Sequence, residues 1–119
     1  MTKVLLIALA SVGYNTADLP AEVTPAACTA TVSGPTFGFS GRMYFHYTTK
    51  CTEPVALITV NASVVGPLTA AVGLKVCTFT DTCSVIVPVT YKRGTWTWVN
   101  DTLYTGGLSL DSKSLTFNQ

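Results

Sequence analysis

Val55-Ala56-Leu57-Ile58-Thr59-Val60-Asn61-Ala62-Ser63-Val64-Val65 reads as a β-strand with one face on a core. Its even positions, Ala56, Ile58, Val60, Ala62 and Val64, are all apolar, and Thr59, Asn61 and Ser63 alternate with them. Successive side chains of a strand point to opposite sides, so a period of two with one apolar face marks a half-buried strand, not a helix. The same period recurs on both sides of this stretch. Met43, Phe45 and Tyr47 share a face against Arg42, His46 and Thr48, and Phe37 and Phe39 have the parity of the apolar set. Val72, Leu74 and Val76 oppose Lys75, while Val85, Val87, Val89 and Tyr91 oppose Ser84, Thr90 and Lys92. Thr95-Trp96-Thr97-Trp98 follows, then short runs around Leu108-Leu110 and Leu115-Phe117.

Turn chemistry separates these runs: Ser33-Gly34-Pro35, Gly66-Pro67, Lys92-Arg93-Gly94, Asn100-Asp101 and Gly106-Gly107. About seven short strands with such punctuation predict an all-β, antiparallel sandwich of immunoglobulin-like type, stabilised by disulfides. Pro88 has no N–H to donate to a ladder, which predicts an edge position or a bulge for its strand. Charged residues make up only 11% of the chain, against roughly 25% in ordinary soluble proteins. Thr, Ser and Asn carry the polarity instead, which suits a pleated surface.

Lys3-Val4-Leu5-Leu6-Ile7-Ala8-Leu9-Ala10 is a basic residue followed by a short apolar run, the pattern of a secretory signal. The expected organisation is a signal peptide over 1–17, an extended lead-in over 18–27 containing Pro20 and Pro25, and a single β domain over 28–119. The apolar run is far shorter than the ~20 residues of a membrane-spanning helix, so no transmembrane segment is predicted. Export to an oxidising compartment makes disulfides of Cys28, Cys51, Cys77 and Cys83. Four cysteines allow three pairings. Cys77-Thr78-Phe79-Thr80-Asp81-Thr82-Cys83 looks like two strand ends joined by a turn, which favours Cys77–Cys83 across a tight hairpin and leaves Cys28–Cys51. Cys-x5-Cys is not a zinc-knuckle spacing, and no metal site or cofactor is predicted.

Without Lys3 the chain has six bases against six acids, and only Lys92-Arg93 forms a basic pair. Nucleic-acid binding needs a cluster of phosphate-neutralising charges, so it is not expected. His46 has no Ser, Cys or carboxylate partner at a recognised spacing, and Gly38-Phe39-Ser40-Gly41-Arg42 places Arg42 where a nucleophile elbow needs Gly. No catalytic residue is assigned. Asn61-Ala62-Ser63 and Asn100-Asp101-Thr102 are glycosylation sequons, with Asn61 on a polar strand face and Asn100 in an expected exposed turn. The surplus of large aromatics is the remaining signal. Phe37, Phe39, Phe45, Tyr47, Trp96 and Trp98 are the expected lining of a space for a small apolar ligand between the sheets.

Residues 56–66, the Cys77-x5-Cys83 pair and Lys92-Arg93-Gly94-Thr95-Trp96-Thr97-Trp98-Val99 together resemble the ML lipid-recognition family, which includes mite allergens and secreted sterol carriers. The resemblance implies a two-sheet immunoglobulin-like sandwich that holds a lipid or sterol without catalysis. The chain departs from that pattern in having Ser84 after Cys83, where the family has Pro, and no later cysteine. Two functions follow as expectations. One is a secreted, non-enzymatic carrier or sensor of a lipid or sterol. The other is an extracellular module that recognises a protein or glycan through loops or an exposed sheet face, as adhesion, immune or effector domains do.

Overall fold

The computed structural model describes residues 25–119; the expected signal peptide and the lead-in up to residue 24 lie outside them. Five strands follow in chain order: β1 (Cys28–Phe37), β2 (Arg42–Gly66), β3 (Thr69–Thr90), β4 (Gly94–Tyr104) and β5 (Gly107–Phe117). A 3-10 turn, Phe39–Gly41, joins β1 to β2. All pairings are antiparallel and belong to one sheet. β2 is its axis. One edge of β2 takes β1 along residues 43–51 and β4 along 58–65, and β3 runs along the whole of the other edge. β5 completes the sheet beside β4.

The sheet folds back on itself at one corner. Between the pairs Lys50–Thr82 and Val55–Thr80, residues 51–54 of β2 stand against Asp81 alone. An unequal count of this kind bends a strand sharply. In a straight strand Cys77 and Cys83 would be roughly 20 Å apart; here their Cα atoms are 5.8 Å apart and the sulfurs are bonded. Cys28 is the direct cross-strand neighbour of Cys51, and those two are also disulfide-bonded. Both bridges therefore sit on the corner. The pairing expected from the spacing is present, but Cys77–Cys83 does not close a hairpin. The runs on either side of it each pair with β2, so they stack instead of pairing with each other.

Folding at the corner lays β1 and the first half of β2 over the second half of β2, β4 and β5. The Tyr47 hydroxyl donates to the Ser63 carbonyl at 2.8 Å, tying the two halves of β2. A Cβ on Gly73 would lie 2.8 Å from Val87 Cγ2, so a small residue is needed where the halves of β3 stack. Met43, Phe45, Tyr47, Ile58, Val60, Val64, Trp96 and Trp98 fill the space between the layers, each no more than 1% exposed. Inward positions of β2 are odd-numbered through Val55 and even-numbered from Ile58 on, so Ala56, expected on the core face, is exposed and Val55 is buried in its place.

Two corrections to the sequence reading have a physical cause. The expected short runs on either side of residues 51–54 and 78–82 are single long strands, since the chain bends there while staying paired. Val72, Leu74 and Val76 face outward, not into the core, with exposures of 81%, 64% and 51%. They lie opposite Ser63, Asn61 and Thr59 on the outer side, and the inner side takes the small Ala71 and Gly73. Pro88 does lie on an edge strand, since among the described residues β3 pairs only with β2.

Candidate functional site

The two ends of the folded sheet differ in composition. At the corner end lie both disulfides, Thr52, Glu53 and Asp81. At the opposite, open end β2 both begins and finishes, so the β1–β2, β2–β3 and β3–β4 turns and the end of β5 converge there. The contacts between those turns are direct. Tyr91 N–H donates to the Gly41 carbonyl at 2.7 Å. A Cβ on Gly94, whose φ is +133°, would collide with Pro67. The Trp96 indole lies on Gly66, where no side chain fits, and its Nε1 donates to the Lys92 carbonyl at 2.9 Å.

Phe37, Tyr91 and Phe117 meet at this end in edge-to-face pairs with ring centroids 5.5–6.1 Å apart. Edge-to-face packing sets the positive rim of one ring on the negative face of another. With Gly38, Gly41 and Arg42 they line an open cleft of about 370 Å³. The Tyr91 hydroxyl lies against the main-chain oxygen of Gln119. Beyond the cleft Phe39 and Leu68 stand on turn tips, 92% and 101% exposed. Arg42, Lys92 and Arg93 are exposed at the same end.

The six aromatics expected to line one ligand space do not form one group. Phe45, Tyr47, Trp96 and Trp98 are buried and pack on one another, with Phe45 4.8 Å from Trp98 and 5.7 Å from Trp96 between ring centroids. Burial pushes the Tyr47 phenol well above the ordinary tyrosine range. The Trp98 Nε1 is buried without an acceptor among the described residues. Phe37 and Phe39 stand outside the core, at the open end.

Asn100 is not in an exposed turn but on β4, fully buried. Its Nδ2 donates to the carbonyls of Thr31 and Thr48 and to Thr49 Oγ1, at 3.1–3.3 Å. Its Oδ1 accepts from Thr102 Oγ1 at 2.7 Å, and Thr102 and Thr49 are hydroxyl to hydroxyl at 2.7 Å. A glycan on that nitrogen would abolish this network, so the Asn100 sequon does not fit the folded chain. Asn61 is exposed, as its strand parity predicts.

The same seam explains why apolar Leu108 and Leu110 face out. β5 does not pair with β1 along its backbone; its inward Ser109 and Asp111 side chains accept instead from Ala30 N–H at 2.9 Å and Val32 N–H at 3.0 Å. Unpaired N–H groups on a strand edge are costly when covered, and polar side chains facing inward satisfy them. His46 Nε2 is engaged at 2.8 Å by Thr36 Oγ1. Among the described residues no group of His, Cys, Asp and Glu is placed to hold a metal ion, and no helix is long and apolar enough to cross a membrane.

Compared with family models, with characterised proteins and with solved structures, the chain matches none. The functional reading therefore rests on the geometry above.

Proposed function

We propose that this chain is an exported, non-enzymatic recognition module that engages its partner through the open end of the folded sheet. The observation that carries the reading is the contrast between core and end: the interior aromatics pack on each other, while Phe37, Phe39 and Leu68 stand exposed beside Arg42, Lys92 and Arg93. Exposed apolar side chains grouped within a polar, charged rim are the usual marks of an interaction site. The pair of disulfides supports an oxidising, extracellular setting. We also read the doubled sheet as a variant of the immunoglobulin-like sandwich in which β2 and β3 are shared by both layers, with binding turns gathered at one end, as in that architecture. Of the two sequons, Asn61 is the one we assign to modification in a host that glycosylates.

The test is binding of fluorescently labelled protein to intact cells of the producing organism, with its disulfides intact. Wild type should bind saturably, the Phe39→Ser/Leu68→Ser variant should lose at least tenfold in affinity, and Phe79→Ser at the corner end should bind as wild type. Undiminished binding by the double variant would overturn the reading. Stoichiometric lipid extracted from the purified protein would restore the carrier function that the resemblance to lipid-recognition proteins implies.

A further inference from the structure

The open end carries two features that an ordinary set of turns does not. The first is a pair of apolar tips from different turns. Turn tips are the most solvated part of a β domain and ordinarily carry Gly, Asn, Asp or Ser. Here one tip presents Phe39, 92% exposed, and another presents Leu68, 101% exposed. Leu68 follows Pro67 with φ at +60°, the left-handed region that favours Gly or Asn. Leucine at that position strains the backbone and covers no part of the core, so folding alone gives no reason for it. Strain of this kind is concentrated at functional sites.

The second feature is charge. Arg42, Lys92 and Arg93 are all exposed at this end. The acids among the described residues lie elsewhere: Glu53 and Asp81 at the corner, Asp101 on β4 opposite Asn61, and Asp111 on β5 against Val32. The corner end has an exposed aromatic too, Phe79 at φ +50°, but there Lys50 stands with the acids Glu53 and Asp81, so that end has no excess of positive charge. Apolar turn tips at an end that also carries exposed cations match a surface with an anionic plane over a hydrocarbon layer.

We propose that the open end docks on an anionic lipid bilayer, with Phe39 and Leu68 entering the interface and Arg42, Lys92 and Arg93 facing the headgroups. This rests on the open end being the binding surface, and it names the partner. The site makes peripheral contact through two side chains and three charges, so docking is reversible and salt-sensitive. Phe37, Tyr91 and Phe117 pack edge to face at the same end and tie the β3–β4 turn to the ends of β1 and β5.

The experiment is co-sedimentation of the full chain, disulfides intact, with vesicles of phosphatidylcholine alone and of phosphatidylcholine mixed with phosphatidylglycerol. Binding is expected to the mixed vesicles, to weaken as salt is raised, and to be much weaker on phosphatidylcholine alone. Phe39→Ser/Leu68→Ser should weaken it about tenfold or more, Lys92→Gln/Arg93→Gln should remove the preference for anionic lipid, and Phe79→Ser should change nothing. Phe39→Trp should shift its added emission to the blue on mixed vesicles, while buried Trp96 and Trp98 stay constant. No sedimentation with mixed vesicles at low salt, equal binding to both compositions, or indifference to the Phe39/Leu68 substitutions overturns the lipid proposal. If vesicles fail while cell binding still depends on Phe39 and Leu68, the partner is a protein or glycan and only the lipid proposal falls. If cell binding is also indifferent to those residues, the open end is not the binding surface.

Discussion

The corner end and the open end of this sheet are made from the same strands and are built in opposite ways. At the corner, β2 and β3 turn together, two covalent bridges lock the bend, and Cys28 and Cys83 are buried. At the open end no bridge is present, the chain reverses three times, and large apolar side chains stand in solvent. On the proposed function, the difference means that stability and recognition are separated along one axis. Substitutions should therefore divide by position: those near the corner and seam should act on folding, and those at the open end on binding.

The largest expected effect is at the corner. Cys28 and Cys51 are 23 residues apart in sequence, and opening a loop of that size costs about 3 kcal/mol on the chain-entropy model. Urea unfolding of Cys28→Ser/Cys51→Ser should show that loss, with a smaller one for Cys77→Ser/Cys83→Ser, whose loop spans 6 residues. A change near zero for both pairs would break the comparison. Next comes the buried seam. Asn100→Ala removes the donor to the Thr31 and Thr48 carbonyls and leaves the buried Thr49 and Thr102 hydroxyls only each other, at a cost of about 2 kcal/mol. Equilibrium unfolding that finds the variant as stable as wild type would show that the layers are not joined there.

A third effect depends on pH. The Tyr47 phenol is raised by burial, so the folded chain holds its proton where the unfolded chain has already lost it. Its contribution is complete below the ordinary tyrosine pKa of about 10 and is lost as pH rises toward the folded value. Stability measured across alkaline pH should fall less steeply in Tyr47→Phe than in wild type, and parallel slopes would contradict the burial. The smallest effect is expected at the open end. Phe39→Ser and Leu68→Ser alter exposed side chains and should change the unfolding free energy by less than about 0.5 kcal/mol in urea titrations, even where they weaken binding. A large loss would mean that the tips are structural and would erase the contrast between the ends.

Much of this was legible in the chain. Alternation over 55–65 and 43–47 identified strands and named their inward residues, Phe45, Tyr47, Ile58, Val60 and Val64, correctly. The change from odd to even inward positions between Tyr47 and Ile58 was itself a signal of the corner, because only an irregular step lets one strand bury both sets. The outward placing of Val72, Leu74, Val76, Leu108 and Leu110 was not legible. Alternation says that two faces differ, not which one is covered, and the covered face there had to accommodate the stacked halves of β3 and the unpaired N–H groups of β1. Asn100 was misplaced for a related reason: Asn-Asp is turn chemistry locally, and its buried acceptors, Thr31 and Thr48, lie far away in sequence.

The candidate site was legible only as a list of aromatics. Phe37 and Phe39 share parity with Phe45 and Tyr47, yet Phe37 ends β1 at the open mouth of the sheet and the 3-10 turn sends Phe39 to solvent. Leu68 carried no signal beyond its place after Pro67. By itself, the sequence determined that this protein is made of antiparallel strands with two disulfides, since side-chain period and cysteine spacing are local properties. Tertiary structure alone decided that the strands form one sheet doubled at a disulfide-locked corner, and that its apolar and basic turns meet at the other end. Those facts depend on which distant residues must share a face, and no local pattern encodes that.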